Sequence, residues 1–109
     1  NARTDVFLEA MRAGEDPNRP ELVEAATARG AVYKRAGAGS FFVPGLSDGE
    51  LIARMVEAVE LPVNVMRLPG MVSNAELAKL GVARISYGPG PWREAMAALQ
   101  DAAAKAFSS

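Results

Sequence analysis

The stretch SFFVPGLSDGELIARMVEAVELPVNVM, residues 40–66, decides the fold. It opens on a short apolar run, Ser40-Phe41-Phe42-Val43, stopped by Pro44-Gly45. It closes on a second run, Val63-Asn64-Val65-Met66, entered through Pro62. Both runs are brief, β-branched or aromatic, and bounded by turn formers, which is how strands read in a sequence. Between them Leu51, Ile52, Met55, Val56 and Val59 recur with a 3.6-residue period, so 51–59 is expected to be an amphipathic helix. Ser47 is a candidate N-cap, with Glu50 at the spacing of a capping box. A strand, a helix and a strand in this order imply parallel strands joined by a right-handed crossover.

The same alternation extends in both directions. Residues 1–6 (NARTDV) read as a short, partly polar strand, and 11–20 (MRAGEDPNRP) as a breaker-rich loop after it. Residues 21–36 read as a helix with Pro20 suited to its first turn and Gly37 as its stop. Residues 73–80 form a shorter helix, with Ser73 and Glu76 at capping-box spacing and Gly81 as terminator. Residues 83–87 are the fourth strand, ended by Gly88-Pro89-Gly90-Pro91, and 91–107 the last helix, striped by Ala95, Met96, Leu99, Ala102, Ala103 and Ala106. The order is β-α-β-α-β-α-β-α. The strands are expected to be parallel and adjacent in chain order, with helices over one face. Two architectures satisfy this: a small doubly wound sheet, or half of an eight-stranded barrel. Asn1 already belongs to a strand, which favours a truncated barrel.

Composition removes several kinds of function. The chain has 109 residues, half of them hydrophobic, and a net charge of −1. No basic patch advertises nucleic acid or an anionic membrane, and no apolar run reaches the roughly 18–20 residues that span a bilayer. There is no Cys and no His. Disulfides, thiolate zinc sites, a cysteine nucleophile, a histidine base and a Ser-His-Asp triad are therefore excluded within these residues. Chemistry must use carboxylates, Arg, Lys, Tyr, hydroxyls, backbone N–H groups or an oxygen-held metal. The absence of Cys and of a signal-peptide pattern fits a cytoplasmic location.

An ordered set of motifs carries a resemblance. Asn1-Ala2-Arg3-Thr4-Asp5, then 31–38 (AVYKRAGA), then Phe41-Phe42-Val43-Pro44-Gly45, then Pro62-Val63-Asn64-Val65-Met66, then 77–89 (LAKLGVARISYGP) resemble successive segments of the isocitrate lyase/phosphoenolpyruvate mutase superfamily. They correspond to strands five to eight and their helices. The resemblance implies an α/β fold, the C-terminal half of a (β/α)8 TIM barrel made of four βα units over residues 1–109, with the N-terminal half absent. It also implies a magnesium-dependent lyase or phosphonomutase, acting on a C–C or P–C bond in a small 2-oxo acid or related carboxylate or phosphonate. The Mg2+ ligands and the mobile catalytic loop are expected outside these residues, so catalytic residues are not assigned here. By itself the chain is expected to be inactive.

Substrate-binding residues follow from the same resemblance. Arg3 matches the arginine that grips the substrate's carboxylate or phosphonate. A guanidinium at the carboxyl end of a barrel strand is suited to that task, because it can make two parallel bonds to an oxyanion. Its structural alternative is a partner for Asp5. Asn64, mid-strand in an apolar run, matches an asparagine that contacts a substrate carboxylate; the alternative is an amide bonded within the barrel layers. Asp5 could order Arg3. Ser86 and Gly88, at the end of the last strand, form either an anion-holding turn or simply a tight turn. One departure stands out: lyase members carry a glutamate after the proline of strand six, where this chain has Gly45, which weakens an isocitrate-like substrate. The family's final helices mediate oligomer contacts, so a homo-oligomer, dimer or tetramer, is expected. The contrasting reading is a non-catalytic half-barrel that serves assembly or binds anions weakly. A standalone flavodoxin-like domain is a third, but no GxGxxG or P-loop cradle is present.

Overall fold

The computed structural model describes residues 1–109, and its four strands form one parallel sheet in the order β1-β2-β3-β4. The strands are β1 (Ala2–Arg3), β2 (Phe41–Phe42), β3 (Val63–Met66) and β4 (Arg84–Ser86), and the helices are α1 (Val6–Arg12), α2 (Pro20–Arg35), α3 (Gly49–Ala58), α4 (Asn74–Lys79) and α5 (Gly90–Ser108). Every strand pairs in parallel with the next in sequence, as expected. The ladder continues one residue beyond the short strands, with the Thr4 N–H donating to the Phe42 carbonyl and the Val43 N–H to the Asn64 carbonyl. No helix is long and apolar enough to cross a membrane.

Strand side chains alternate between faces, and parallel partners share a face. Phe41 and Val63 are partners, as are Val65 and Ile85. Phe41, Val63 and Val65 are buried and join Val6, Phe7, Val23, Ala26, Ile52, Met55 and Leu77 from the helices in one core cluster. Helices α1 to α4 thus lie on one face, and α5 contributes no buried residue. The opposite face carries the register row Arg3, Phe42, Asn64, Arg84. Arg3 and Arg84 are exposed there.

Two expectations are corrected. Residues 6–12 are helix rather than the end of a strand and the start of a loop. Val6, Phe7 and Ala10 bury one side of its two turns, and the loop shrinks to residues 13–19. The cap of α3 is Asp48, whose side chain accepts from the Leu51 N–H at 3.0 Å, and not Ser47. Ser47 is engaged elsewhere. Asn18 donates to its hydroxyl at 2.9 Å and accepts from the backbone N–H of Ser47 and of Asp48 at 3.0 and 2.9 Å. The capping box of α4 forms as expected, with Ser73 and Glu76 bonding reciprocally. Gly37 and Gly81, expected to end α2 and α4, both have positive φ.

Candidate functional site

The carboxyl ends of all four strands point the same way, so the residues just past them form one rim. β1 delivers Arg3 and then Asp5, on the face away from the helices. The two form an ion pair: Nε of Arg3 lies 2.9 Å from Oδ1 of Asp5, and Nη2 donates to Oδ2 at 3.3 Å. The first contact is poorly aligned, leaving Oδ1 without a hydrogen bond. The Arg3 side chain is 57% exposed and that of Asp5 31%. Both are therefore held together yet open to solvent on the inner face.

Asn64 lies in the same register row as Arg3, with Phe42 between them, which places the two backbones about 10 Å apart. The structure does not bring their side chains into contact. Asn64 is 4% exposed, and its Nδ2 donates to Oδ1 of Asn1 at 2.8 Å. The same oxygen accepts from the Ser40 hydroxyl at 2.8 Å. A buried amide in an apolar strand is thereby partnered, as its desolvation demands.

At the end of β4 the turn is partly satisfied from within. The Gly88 N–H donates to Oγ of Ser86 at 3.2 Å, and the Gly90 N–H to the Tyr87 carbonyl at 3.1 Å. Those two donors are occupied, which is what a tight turn needs. After β2 the chain turns at Gly45 with φ +98°, and a Cβ there would sit 2.9 Å from Cβ of Phe7 and 3.1 Å from the Leu8 nitrogen. A glutamate cannot be accommodated on this backbone, which accounts physically for the departure at this position.

The sequence reading missed a further cluster. Arg67 follows β3 directly. Its Nη1 donates to the Val72 carbonyl at 2.7 Å, and its Nη2 donates to Oδ1 of Asn74. Nδ2 of Asn74 donates in turn to the Tyr87 hydroxyl at 2.7 Å. The only early signal was position, an arginine immediately after a strand at the end where such barrels work. A cavity of about 400 Å³ opens beside the cluster, lined by Met66, Arg67, Tyr87 and Arg93, with Leu8 and Met11 of α1 opposite. Arg3 and Asp5 do not line it.

Magnesium is implied by the resemblance, and the residues present do not make a site for it. No group of three or more acidic side chains converges. Asp5 is the one carboxylate within two residues past a strand, and it already faces Arg3.

Parallel βα units paired in chain order, with Arg3 and Arg67 at the carboxyl ends of β1 and β3 and α1 to α4 on one face, suit a segment of a (β/α)8 barrel. The sequence model of phosphoenolpyruvate phosphomutase matches residues 1–107, and the chain belongs to that family. A Burkholderia cenocepacia crystal structure assigned as a phosphonomutase superposes with a TM-score of 0.85 at 44% identity, covering 97% of this chain and 41% of that one. A second from the same organism, assigned as a lyase/mutase, gives 0.72 at 39% identity, covering 76% of this chain and 31% of that one. An uncharacterized Mycobacterium tuberculosis protein, found in two strains, is 38% identical over 71 residues, 65% of this chain and 27% of the relative. The chain therefore spans well under half of the relatives it matches. The family and these neighbours support an enzyme of mutase or lyase type.

Proposed function

We propose that these residues supply strands five to eight of a (β/α)8-barrel enzyme, cytoplasmic and magnesium-dependent, that cleaves or rearranges a C–C or P–C bond in a small 2-oxo acid or related carboxylate or phosphonate. The observation that carries this reading is Arg3, an exposed guanidinium at the carboxyl end of β1, steered by Asp5 and facing away from the helices. Its fork is planar and its charge permanent, so it can grip an oxyanion through the donors that Asp5 leaves free. Asn64 sits in the same row and assists from β3. Exchange of its Asn1 partner for a substrate carboxylate is the movement this role requires. The magnesium ligands are placed outside residues 1–109, and when bound the ion supplies electrostatic stabilisation of an enolate-like charge.

The test is steady-state kinetics of Arg3→Ala and Arg3→Lys in the full protein. Loss of two charge-assisted bonds, each about 1.5–3 kcal/mol, predicts a fall in kcat/KM on the order of a hundredfold or more for Arg3→Ala. Arg3→Lys should recover only part, since a point charge lacks the fork. Near-parental activity of both variants with the fold intact makes Arg3 a structural partner of Asp5 and removes the reading. A second reading, an assembly module without catalysis, draws on α5, which has no buried residue and presents Trp92 and Leu99 to solvent. On either reading we propose a homo-oligomer.

A further inference from the structure

Arg67 differs from Arg3 in how it is held. Three ion pairs exist in the molecule, Arg3 with Asp5, Arg19 with Glu15 and Lys34 with Glu60, and Arg67 is in none of them. Its two hydrogen bonds go to neutral acceptors, the Val72 carbonyl and the Asn74 amide oxygen. The side chain is half-buried and fixed, yet its charge is not neutralised. A guanidinium has five N–H donors, so three remain.

Asn74 links this cation to a second donor. A guanidinium can only donate, so the Asn74 oxygen must face Arg67 and its NH2 must face Tyr87. The Tyr87 hydroxyl therefore accepts from Asn74, and its own proton is free to be donated. Tyr87 and Arg67 both line the cavity over the ends of β3 and β4. Arg93 adds a second positive charge to the wall, and Glu94 is the one carboxylate there. Neither arginine has a carboxylate oxygen within 4.0 Å.

We propose that Arg67 and Tyr87 form a preorganised oxyanion site, with Asn74 as the positioning residue that aims both, for a carboxylate, phosphonate or phosphate group. Fixed donors around an uncompensated charge are what such a group requires, since they need little reorganisation on binding. The site rests on the proposed function only for its place on the substrate rim, and it names a second point of anion contact separate from Arg3. The group it holds is an anionic group of the substrate, with Arg3 holding the other.

The experiment is an NMR titration of the full protein with inorganic phosphate, following the arginine Nε–H resonances of Arg67 and Arg3 separately. The Arg67 resonance is expected to move saturably. Arg67→Gln should raise the phosphate Kd at this site, read from the Tyr87 ring signals, by at least about tenfold, and Arg67→Lys by less. Asn74→Ala and Tyr87→Phe, which leave the charge untouched, should each raise it about three- to tenfold. Unchanged affinity in all of these variants, or no movement of the Arg67 resonance, overturns the proposal. If Arg67→Gln does not fold, Tyr87→Phe at a half-exposed hydroxyl decides the matter in the same way. A second arm uses phosphonoacetate, which carries two anionic groups. Movement of both resonances with one Kd, tighter than phosphate, supports the two-point substrate. Movement of Arg67 without Arg3 keeps this site and removes the Arg3 reading. Movement of Arg3 alone overturns this site and leaves the Arg3 reading standing.

Discussion

Thr4 sits between the two residues of the Arg3–Asp5 pair and points the other way, towards the helices. It is 1% exposed, and its hydroxyl oxygen has no hydrogen-bond partner. A buried unmet hydroxyl costs about 1–3 kcal/mol. Thr4→Val removes it at nearly constant shape, and the expected outcome is a gain of about 1 kcal/mol in urea unfolding. Gly45 works in the opposite sense. Its positive φ and the 2.9 Å approach to Phe7 leave no room for a methyl group. Gly45→Ala is expected to destabilise by about 1–3 kcal/mol, read as a lower unfolding midpoint without loss of two-state behaviour. At this scale Arg3 and Asn64 stood out as candidates through the family resemblance, Asn64 also as an amide in an apolar strand, and Asp5 as the neighbour that could order Arg3. The sequence did not announce Arg67, Asn74 and Tyr87. Their bonds join a strand end, a helix start and a turn, and no spacing in the chain records that they meet.

The helices show why some elements read well and others do not. The two candidate capping boxes look equivalent in sequence. Ser73 and Glu76 form theirs, whereas Ser47 and Glu50 do not, because Asn18, some thirty residues away in the chain, takes the Ser47 hydroxyl and N–H. Asp48 caps α3 instead, and Asp48→Ala is expected to cost about 1 kcal/mol in chemical denaturation, against little for Glu50→Gln. In α4 the Glu76 carboxyl is held below the ordinary glutamate range, first by the Ser73 backbone N–H and then by the Ser73 hydroxyl. A depressed folded-state value gives stabilisation that is present at neutral pH and is lost as the pH falls through it. Ser73→Ala should therefore raise the Glu76 pKa in an NMR titration and make α4 less sensitive to acid. The Lys34 ammonium holds Glu60 down in the same sense. α1 escaped the sequence reading because seven residues give too few repeats to separate a helix from the end of a strand.

At the scale of the molecule the outlier is α5. Its nineteen residues include none that is buried, and the chain extends 60 Å along one axis against 30 and 25 Å along the others. Trp92, Leu99 and Phe107 are 65%, 62% and 92% exposed. A stripe of this kind on a helix suits a contact surface, and within these residues both sheet edges, β1 and β4, are unpaired as well. If α5 carries the proposed oligomer contact, removal of residues 90–109 is expected to give smaller species than the full protein in analytical ultracentrifugation while leaving the helical signal of the remaining chain in place. The pattern of strands and helices was legible because each unit is local. How α5 is covered was not, because an Ala-rich stripe reads the same whether it packs on its own sheet or on another chain.

The order β1-β2-β3-β4 carries a kinetic consequence. Each of the four strands finds its neighbour in sequence, two helices away for β1 and β2 and one helix away for the others, so none of these three pairings waits for a more distant strand. As the polypeptide leaves the ribosome, every new βα unit can add to a seam that already exists, like the successive turns of a solenoid. Helix α5 is made after the four strands it follows, and with no buried residue it adds nothing to the core they already share.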